Sequence, residues 1–463
     1  MRGCRRGPRW AWIPRSGAKL TTHALWPHQD VGARVLIANR QWALFDKPGA
    51  GKTVTALAAI RRRGRGIVVC PSGVKFQWRE FAREWRSDLR VAILSGSNAF
   101  RWPNEGEIVV LNYEILPAAW RELLNLRSRL VRMGGGGAKK TNDQRAAKLQ
   151  EYLERGEDFR KRLIAPPEGV VLIADEAHRI KNDSARCTLR FRELAALVYQ
   201  KGGSIWPMTG TPITASRNDL WVVLQAAGLG TKAWGTRDAF DEDWKVPGAI
   251  AAKLRTISLC RERPVDIATI RQALPVSLAA PAMRALDELS AAIRAQGVNI
   301  DTATLEDIRR AASAAQVAKC VATARSLLAT AKIPALLDLV ADAEAEGTPL
   351  VVFSMHRRPL DLLAGRQGWA RISGDESAQE KFEVASQFQG GFYPRFIGGQ
   401  RVGSTAALGV AVQTRAGGLG INVQRAWKAL FVDLPWVPSD VDQAESRLRR
   451  PGQIGRASCR ERV

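Results

Sequence analysis

Largely apolar runs alternate along this chain with stretches whose apolar positions recur every three or four residues. The runs at 43–45, 66–71, 169–174, 350–353, 408–414 and 428–434 read as strands, and those at 66–71 and 169–174 are apolar throughout, as strands buried on both faces of a parallel sheet must be. Shorter strands are expected at 90–95, 107–113, 370–373 and ending at Met208. Helical patterns separate them, for example at 54–62, where Val54, Leu57, Ala58 and Ile60 fall on one side, and at 75–85, 377–388 and 439–450. Strand and helix in turn predict an α/β fold with parallel sheets. The alternation occurs twice, over 25–235 and over 348–453.

Two stretches depart from it. Residues 120–167 are charged, helical in pattern and interrupted by glycines at 134–137 followed by Lys139 and Lys140, which predicts an insertion with a hinge. Its lysines suit a solvated loop, with nucleic-acid contact as the alternative. Residues 236–347 are Ala-rich and helical, and read as a linker with a helical protrusion that carries no evident chemistry.

The strand at 43–45 runs into Asp46-Lys47-Pro48-Gly49-Ala50-Gly51-Lys52-Thr53. Gly49 and Gly51 let the backbone curl so that successive N–H groups, Ala50 among them, face inward, and a helix beginning near Lys52 aims its positive end at the same point. A polyphosphate fits such a cradle, with Lys52 on the β and γ phosphates and the Thr53 hydroxyl on magnesium. The general pattern has glycine where this chain has Asp46, so the loop taken alone is also compatible with a glycine-bearing turn before a surface helix.

Further down, an apolar strand delivers Asp175-Glu176-Ala177-His178 at its C-terminal end, where sheets of this class place their ligands. Asp175 suits a magnesium ion held through its water shell, and Glu176 suits the orientation of an attacking water. A helix-capping acid pair is the plainer reading, but it fits poorly with a phosphate loop upstream in the same sheet. Thr209-Gly210-Thr211-Pro212 follows a later strand, where Thr209 can sense a γ-phosphate and a tight turn explains Gly210 and Pro212. Arg447 and Arg450, three apart on a predicted helix, would share one face. Such a guanidinium pair matches the charge of a γ-phosphate transition state, although each alone is an ordinary surface arginine. The second half has no lysine-bearing phosphate loop of its own.

Composition adds a partner class. A net charge of +25 and a pI near 10.5 draw polyanions, nucleic acid first among them, and the chain stays strongly basic without its two ends. Cys4, Cys70, Cys187, Cys260, Cys320 and Cys459 form no C-x-x-C pair, and the histidines form no ligand-spaced cluster, so zinc and a disulfide framework find no support. Reduced thiols in a cytoplasm are the simplest reading. No apolar run approaches a membrane span. Residues 1–24 read as a basic, disordered leader. Residues 454–463 resemble an in-frame translation of a sequencing adapter, and are set apart from the fold.

Taken together, Asp46 to Thr53, Asp175 to His178, Thr209 to Pro212, Ala416-Gly417-Gly418-Leu419-Gly420-Ile421-Asn422, and Gln443-Ala444 followed by Arg447, Arg450 and Gly452-Gln453 resemble the Swi/Snf family of superfamily-two helicase-like ATPases. The likeness runs from Trp26 to Gln453 and includes aspartate at the Asp46 position. It implies two RecA-like lobes, ATP and Mg2+ as cofactors, and translocation along duplex DNA without processive strand separation. By the same resemblance Gln29 reads adenine, and Gly420 and Gln443 belong to the nucleotide side. Pro71, Ser72, Gln77, Trp78, Thr209, Thr414, Gly417 and Gly418 belong to the DNA side. Lys47-Pro48, Arg449 and Pro451 depart from the family pattern, and 435–438 hints at the phage-encoded and annealing-helicase branches. The expectation is a monomer, targeted by protein partners, in a bacterial or phage-infected cytoplasm, or in a nucleus if the source is eukaryotic. Rival functions are a strand-separating helicase of the same superfamily and a nucleic-acid-binding scaffold that does not hydrolyse ATP.

Overall fold

The computed structural model describes residues 23–96, 99–119, 122–128, 166–214, 216–261, 271–299, 314–390, 407–414, 421–435 and 438–448, with short pieces within 147–157, 302–311, 396–401 and 460–462. The chain divides into two units, Met1–Glu262 and Arg263–Val463.

In the first unit the strands are β1 (Ala43–Leu44), β2 (Arg65–Cys70), β3 (Arg90–Ile93), β4 (Glu107–Asn112), β5 (Val171–Asp175), β6 (Ser204–Met208) and β7 (Ser258–Leu259). They form one parallel sheet in the order β3-β4-β2-β5-β6-β1-β7. Alternation along each strand explains why the runs are apolar throughout. Ile67, Val69, Leu172 and Ala174 enter one core with the helices Arg186–Gln200 and Arg217–Ala226. Val68, Cys70, Val171 and Ile173 enter the other, with the helices Pro27–Ala38, Lys52–Ala59 and Lys75–Trp85. Of the expected inward residues at 54–60, Val54, Leu57, Ala58 and Ile60 are all buried.

The unit extends beyond the expected boundary at 235. The helices Arg237–Lys245 and Ala249–Leu254 pack on the first core through Phe240, Trp244, Ile250 and Leu254, and β7 adds to the sheet edge beside β1. Much of the insertion at 120–167, including its glycines and lysines, lies outside the described residues; 122–128 are helical.

The second unit has its own parallel sheet, built from β8 (Arg271–Ala273), β9 (Leu350–Ser354), β10 (Trp369–Ile372), β13 (Gly409–Gln413), β14 (Lys428–Phe431) and β15 (Arg460–Arg462), in the order β10-β13-β9-β14-β15-β8. β11 (Phe396–Ile397) and β12 (Gln400–Arg401) make a separate antiparallel pair. The tail set apart in the sequence thus supplies a strand. Within the span expected as linker, Ile333–Ala345 packs on this sheet through Leu336, Val340 and Ala343, and Ala280–Arg294 packs with Ala315–Ala331. No single helix among the described residues is long and apolar enough to cross a membrane.

Candidate functional site

Strand register brings the separate motifs of the first unit to one edge. Leu44 of β1 and Asp175 of β5 both pair with Met208 of β6, so the phosphate loop, the acid pair and Thr209 leave the sheet at the same level. Ala174 pairs with Val69, which places the end of β2 beside them.

The loop after β1 turns at Gly49 (φ 84°) and Gly51 (φ 81°), and Lys52–Ala59 begins as a helix directly after it. A side chain at Gly51 would collide with the buried Gln29, whose amide nitrogen lies 2.2 Å from where a Cβ would stand. Gln29 in turn caps its own helix by accepting the Trp26 N–H at 3.0 Å. The expected adenine reader therefore touches the loop. Ala50 is buried, and its carbonyl lies 2.8 Å from His28 Nε2. Lys52 donates from Nζ to the Asp46 carbonyl at 2.7 Å.

Asp46, the deviation from the general loop pattern, is fully buried. Its carboxylate accepts the backbone N–H of Arg261 at 2.9 Å and Nε at 3.0 Å, with the second oxygen bound by the other arm of the same guanidinium. Arg261 also donates to the His28 carbonyl. One arginine from beyond β7 thus joins the phosphate loop to the start of the first helix. Sequence reasoning missed it, because its partner lies 215 residues away. The available signal was Asp46 itself, since an acid buried at the end of an apolar strand requires a cation.

Asp175 is buried at the end of β5. One oxygen accepts the Glu176 N–H at 3.0 Å and the other the indole N–H of Trp78 at 2.8 Å. Burial, with the neighbouring Glu176 charge adding to it, raises Asp175 to about 6, while the Trp78 hydrogen bond and the ammonium of Lys52 act the other way. The strand register, with Leu44 and Asp175 both paired to Met208, brings the two motifs to one level of the sheet. Glu176 has left-handed backbone, φ 52° and ψ 53°, a conformation that costs a non-glycine residue roughly 1 kcal/mol and collects at functional sites. Its carboxylate lies 3.4 Å from His178 Nδ1.

Among the described residues no cluster of three or more His, Cys, Asp or Glu could cage a metal. Magnesium needs no such cage, since it binds through one or two carboxylates plus phosphate and water. Both Asp175 oxygens keep acceptor capacity beyond their single protein donors, and Thr53 stands at the start of the phosphate-loop helix, so the residues suit a magnesium–nucleotide complex.

Four of the residues expected on the DNA side, Pro71, Trp78, Thr209 and Thr414, are buried. Trp78 is 1% exposed and points at Asp175, because its large apolar ring joins the core under β2. Thr209 is fully buried, with its hydroxyl 3.1 Å from His178 Nδ1 and accepting the Thr211 N–H at 3.1 Å, which fits a sensor at the acid motif. Thr414, at the end of β13, is buried as well. Pro71 is buried, Ser72 is exposed and Gln77 is half-buried at the start of Lys75–Trp85.

In the second unit Gln443 lies in the helix Pro438–Ser446 and is buried. The predicted helix through 450 ends earlier. Arg447 is a turn residue whose N–H bonds the Ala444 carbonyl, so a shared helical face with Arg450 is not part of the described structure. Arg447 is buried; Arg450, Gly417, Gly418 and Gly420 lie outside the described residues.

Residues 28–274 match the family model described as SNF2-related domain. The chain is 22% identical to the mouse SWI/SNF-related matrix-associated actin-dependent regulator of chromatin subfamily A member 1, over 89% of this chain and 38% of that protein. It is 23% identical to the subfamily A-like protein 1 of Xenopus tropicalis, over 93% of this chain and 41% of that one. The ISWI chromatin-remodeling complex ATPase ISW1 of Saccharomyces cerevisiae is 21% identical, with 92% and 37% covered. The chain thus spans about two fifths of the length of these relatives. Among solved structures, the Sulfolobus solfataricus SWI2/SNF2 ATPase core in complex with dsDNA aligns with a TM-score of 0.37 at 17% identity, covering 97% of this chain and 90% of that one.

Proposed function

The chain belongs to the SNF2-related domain family, and from that membership we propose that it is a DNA-dependent ATPase that translocates on double-stranded DNA and remodels what is bound there. The observation that carries this reading is the meeting of Lys52, Asp175 and Glu176 at one edge of the first sheet.

Bound ATP and Mg2+ supply the transferable γ-phosphoryl group and the charge that neutralises it. The loop amides at Gly49 and Gly51 and the Lys52 ammonium hold the phosphates, with Ala50 shaping the loop through its N–H bond to the Lys47 carbonyl, while Thr53 and Asp175 hold the metal and its water shell. Glu176 orients and polarises the attacking water, its carboxylate set by the left-handed turn and by His178. Gln29 reads the adenine, and the family resemblance assigns Gly420 and Gln443 to the nucleotide as well. Arg447 and Arg450 stabilise the charge that develops on the transferred group, a role worth roughly three to five orders of magnitude in rate.

On the DNA side, Ser72 and Gln77, with the adjoining Pro71, track the phosphate backbone in the first unit, and Gly417 and Gly418 do so in the second. The net charge of +25 supports a polyanionic partner. We assign the duplex as the preferred form, a monomer as the working unit and protein partners as the source of targeting. The site of action is the compartment that holds the DNA, a bacterial or phage-infected cytoplasm or a eukaryotic nucleus.

ATP hydrolysis by the full chain, measured alone and with duplex DNA, single strands and RNA, tests the proposal. Stimulation by duplex DNA is the expected result. Stimulation by RNA alone, or by single strands with separation of a duplex, replaces translocation with a strand-separating helicase, and no hydrolysis under any condition leaves a binding scaffold.

A further inference from the structure

The helix Lys75–Trp85 starts in the segment proposed to follow DNA, yet its inner face is tied to the strand ends of the first sheet. Buried Lys75 donates from Nζ to the Leu94 carbonyl at 3.1 Å, the Ser95 hydroxyl at 3.3 Å and the Asn112 side-chain oxygen at 3.2 Å, joining the loop that follows β3 to the last residue of β4. Three residues on, and so on the same face, Trp78 donates its indole N–H to Asp175. Tyr113, buried just after β4, donates its hydroxyl to the backbone carbonyl of Asp175 at 2.7 Å.

We propose that Trp78 and Tyr113 are positioning residues for magnesium–nucleotide binding, Trp78 fixing the plane of the Asp175 carboxylate and Tyr113 the backbone that carries it. With the Glu176 N–H on one oxygen and the indole on the other, the carboxylate cannot rotate without losing a hydrogen bond, and both oxygens keep acceptor capacity to spare. Phenylalanine at position 78 keeps most of the packing and leaves the second oxygen buried without its donor. Partners of this kind typically set metal affinity by about 10- to 100-fold. The inference rests on the ATPase reading above.

The test is binding of a fluorescent ADP to the full chain with MgCl2 and with EDTA. The unaltered chain is expected to bind more tightly with magnesium. Trp78→Phe is expected to lose about 10- to 100-fold of that gain, with its EDTA affinity and duplex-DNA affinity unchanged. Tyr113→Phe, which removes only a hydroxyl, should shift the gain in the same direction and serves if Trp78→Phe fails to fold. Trp42→Phe is the matched control, since Trp42 is buried and its indole nitrogen has no hydrogen-bond partner among the described residues. A full magnesium gain in both Trp78→Phe and Tyr113→Phe overturns the inference, as does loss of duplex affinity in Trp78→Phe with the gain intact, which returns Trp78 to the DNA surface. No magnesium gain in the unaltered chain overturns the ATPase reading itself, and the inference with it.

Discussion

Arg261 grips the fully buried carboxylate of Asp46 through its backbone N–H and the Nε and Nη2 groups of its guanidinium. The pair explains why the phosphate loop carries aspartate where the general pattern carries glycine: the acid anchors the loop to the strand that closes the sheet edge. Removing one partner of a buried pair leaves an uncompensated charge, typically worth 3–5 kcal/mol. Arg261→Ala should therefore lower the stability of the chain by about 3–5 kcal/mol in urea unfolding. Adding Asp46→Asn should recover part of that loss, as a double-mutant cycle would record. Asp46→Gly, which makes the loop conform to the general pattern, should also destabilise. Equal or greater stability in Asp46→Gly would count against the anchoring role.

Gly32 depends on the same contact. A Cβ there would stand 2.6 Å from Nη2 of Arg261 and 2.7 Å from Cγ2 of Thr55. Both neighbours are constrained, Arg261 by Asp46 and Thr55 by its helix, so neither can yield freely. Gly32→Ala is expected to cost about 1–3 kcal/mol through overpacking, against the small gain alanine ordinarily brings to a helix. A thermal midpoint at or above that of the unaltered chain would show that Arg261 can move aside.

The parts legible in the sequence were those whose cause is local. The β2 and β5 runs are apolar at every position because both faces of each strand enter a core, and the glycines of the phosphate loop announce a turn that needs φ above zero. Elements whose cause lies elsewhere in the chain were not legible. β7 is two residues long and exists as a strand only because β1 offers it an edge. The helices Arg237–Lys245 and Ala249–Leu254 fall at the start of the stretch expected as a linker with a helical protrusion, and periodicity does not say which core their apolar face joins. Trp78 is assigned to a DNA-tracking segment only by the family resemblance, and nothing in its neighbourhood reveals a hydrogen bond to an aspartate 97 positions on. The predicted helix at 439–450 stopped short at Ser446, its last turns giving way to bonds from Arg447 to Ala444 and from Leu448 to Glu445.

Glu107 gives a pH signature that does not involve the site. Hydrogen bonds from Arg101 at 2.6 and 2.7 Å and from the Asn104 N–H at 2.9 Å lower it from 4.5 to about 2, against the effect of burial. Because the folded value lies below the unfolded one, its contribution to stability is complete above pH 4.5 and is lost as pH falls through about 2. Arg101 is 44% exposed, so solvent screening reduces the gain to about 1–2 kcal/mol. Glu107→Gln should be less stable than the unaltered chain by that amount at pH 6, with the gap closing as the pH is lowered from 4.5 toward 2. Urea midpoints measured across that range would reveal a constant gap if the pair contributes only packing.

Lys52 and Glu176 separate nucleotide chemistry from DNA binding. Lys52 belongs to the loop, with its ammonium near enough to act on Asp175. Glu176 is held in a left-handed turn beside His178. Neither lies in the stretch from Pro71 to Gln77 proposed to follow the duplex. Lys52→Ala should weaken nucleotide binding and abolish turnover, whereas Glu176→Gln, which keeps the size but removes the charge that polarises water, should bind nucleotide normally and lose at least about 100-fold in kcat. Both should keep the duplex affinity of the unaltered chain, measured by fluorescence anisotropy at fixed salt, because that affinity is set by phosphate contacts elsewhere. Turnover surviving in Glu176→Gln would move the water-orienting role to another residue, and a matching loss of duplex affinity would mean that the acid turn belongs to the DNA surface instead.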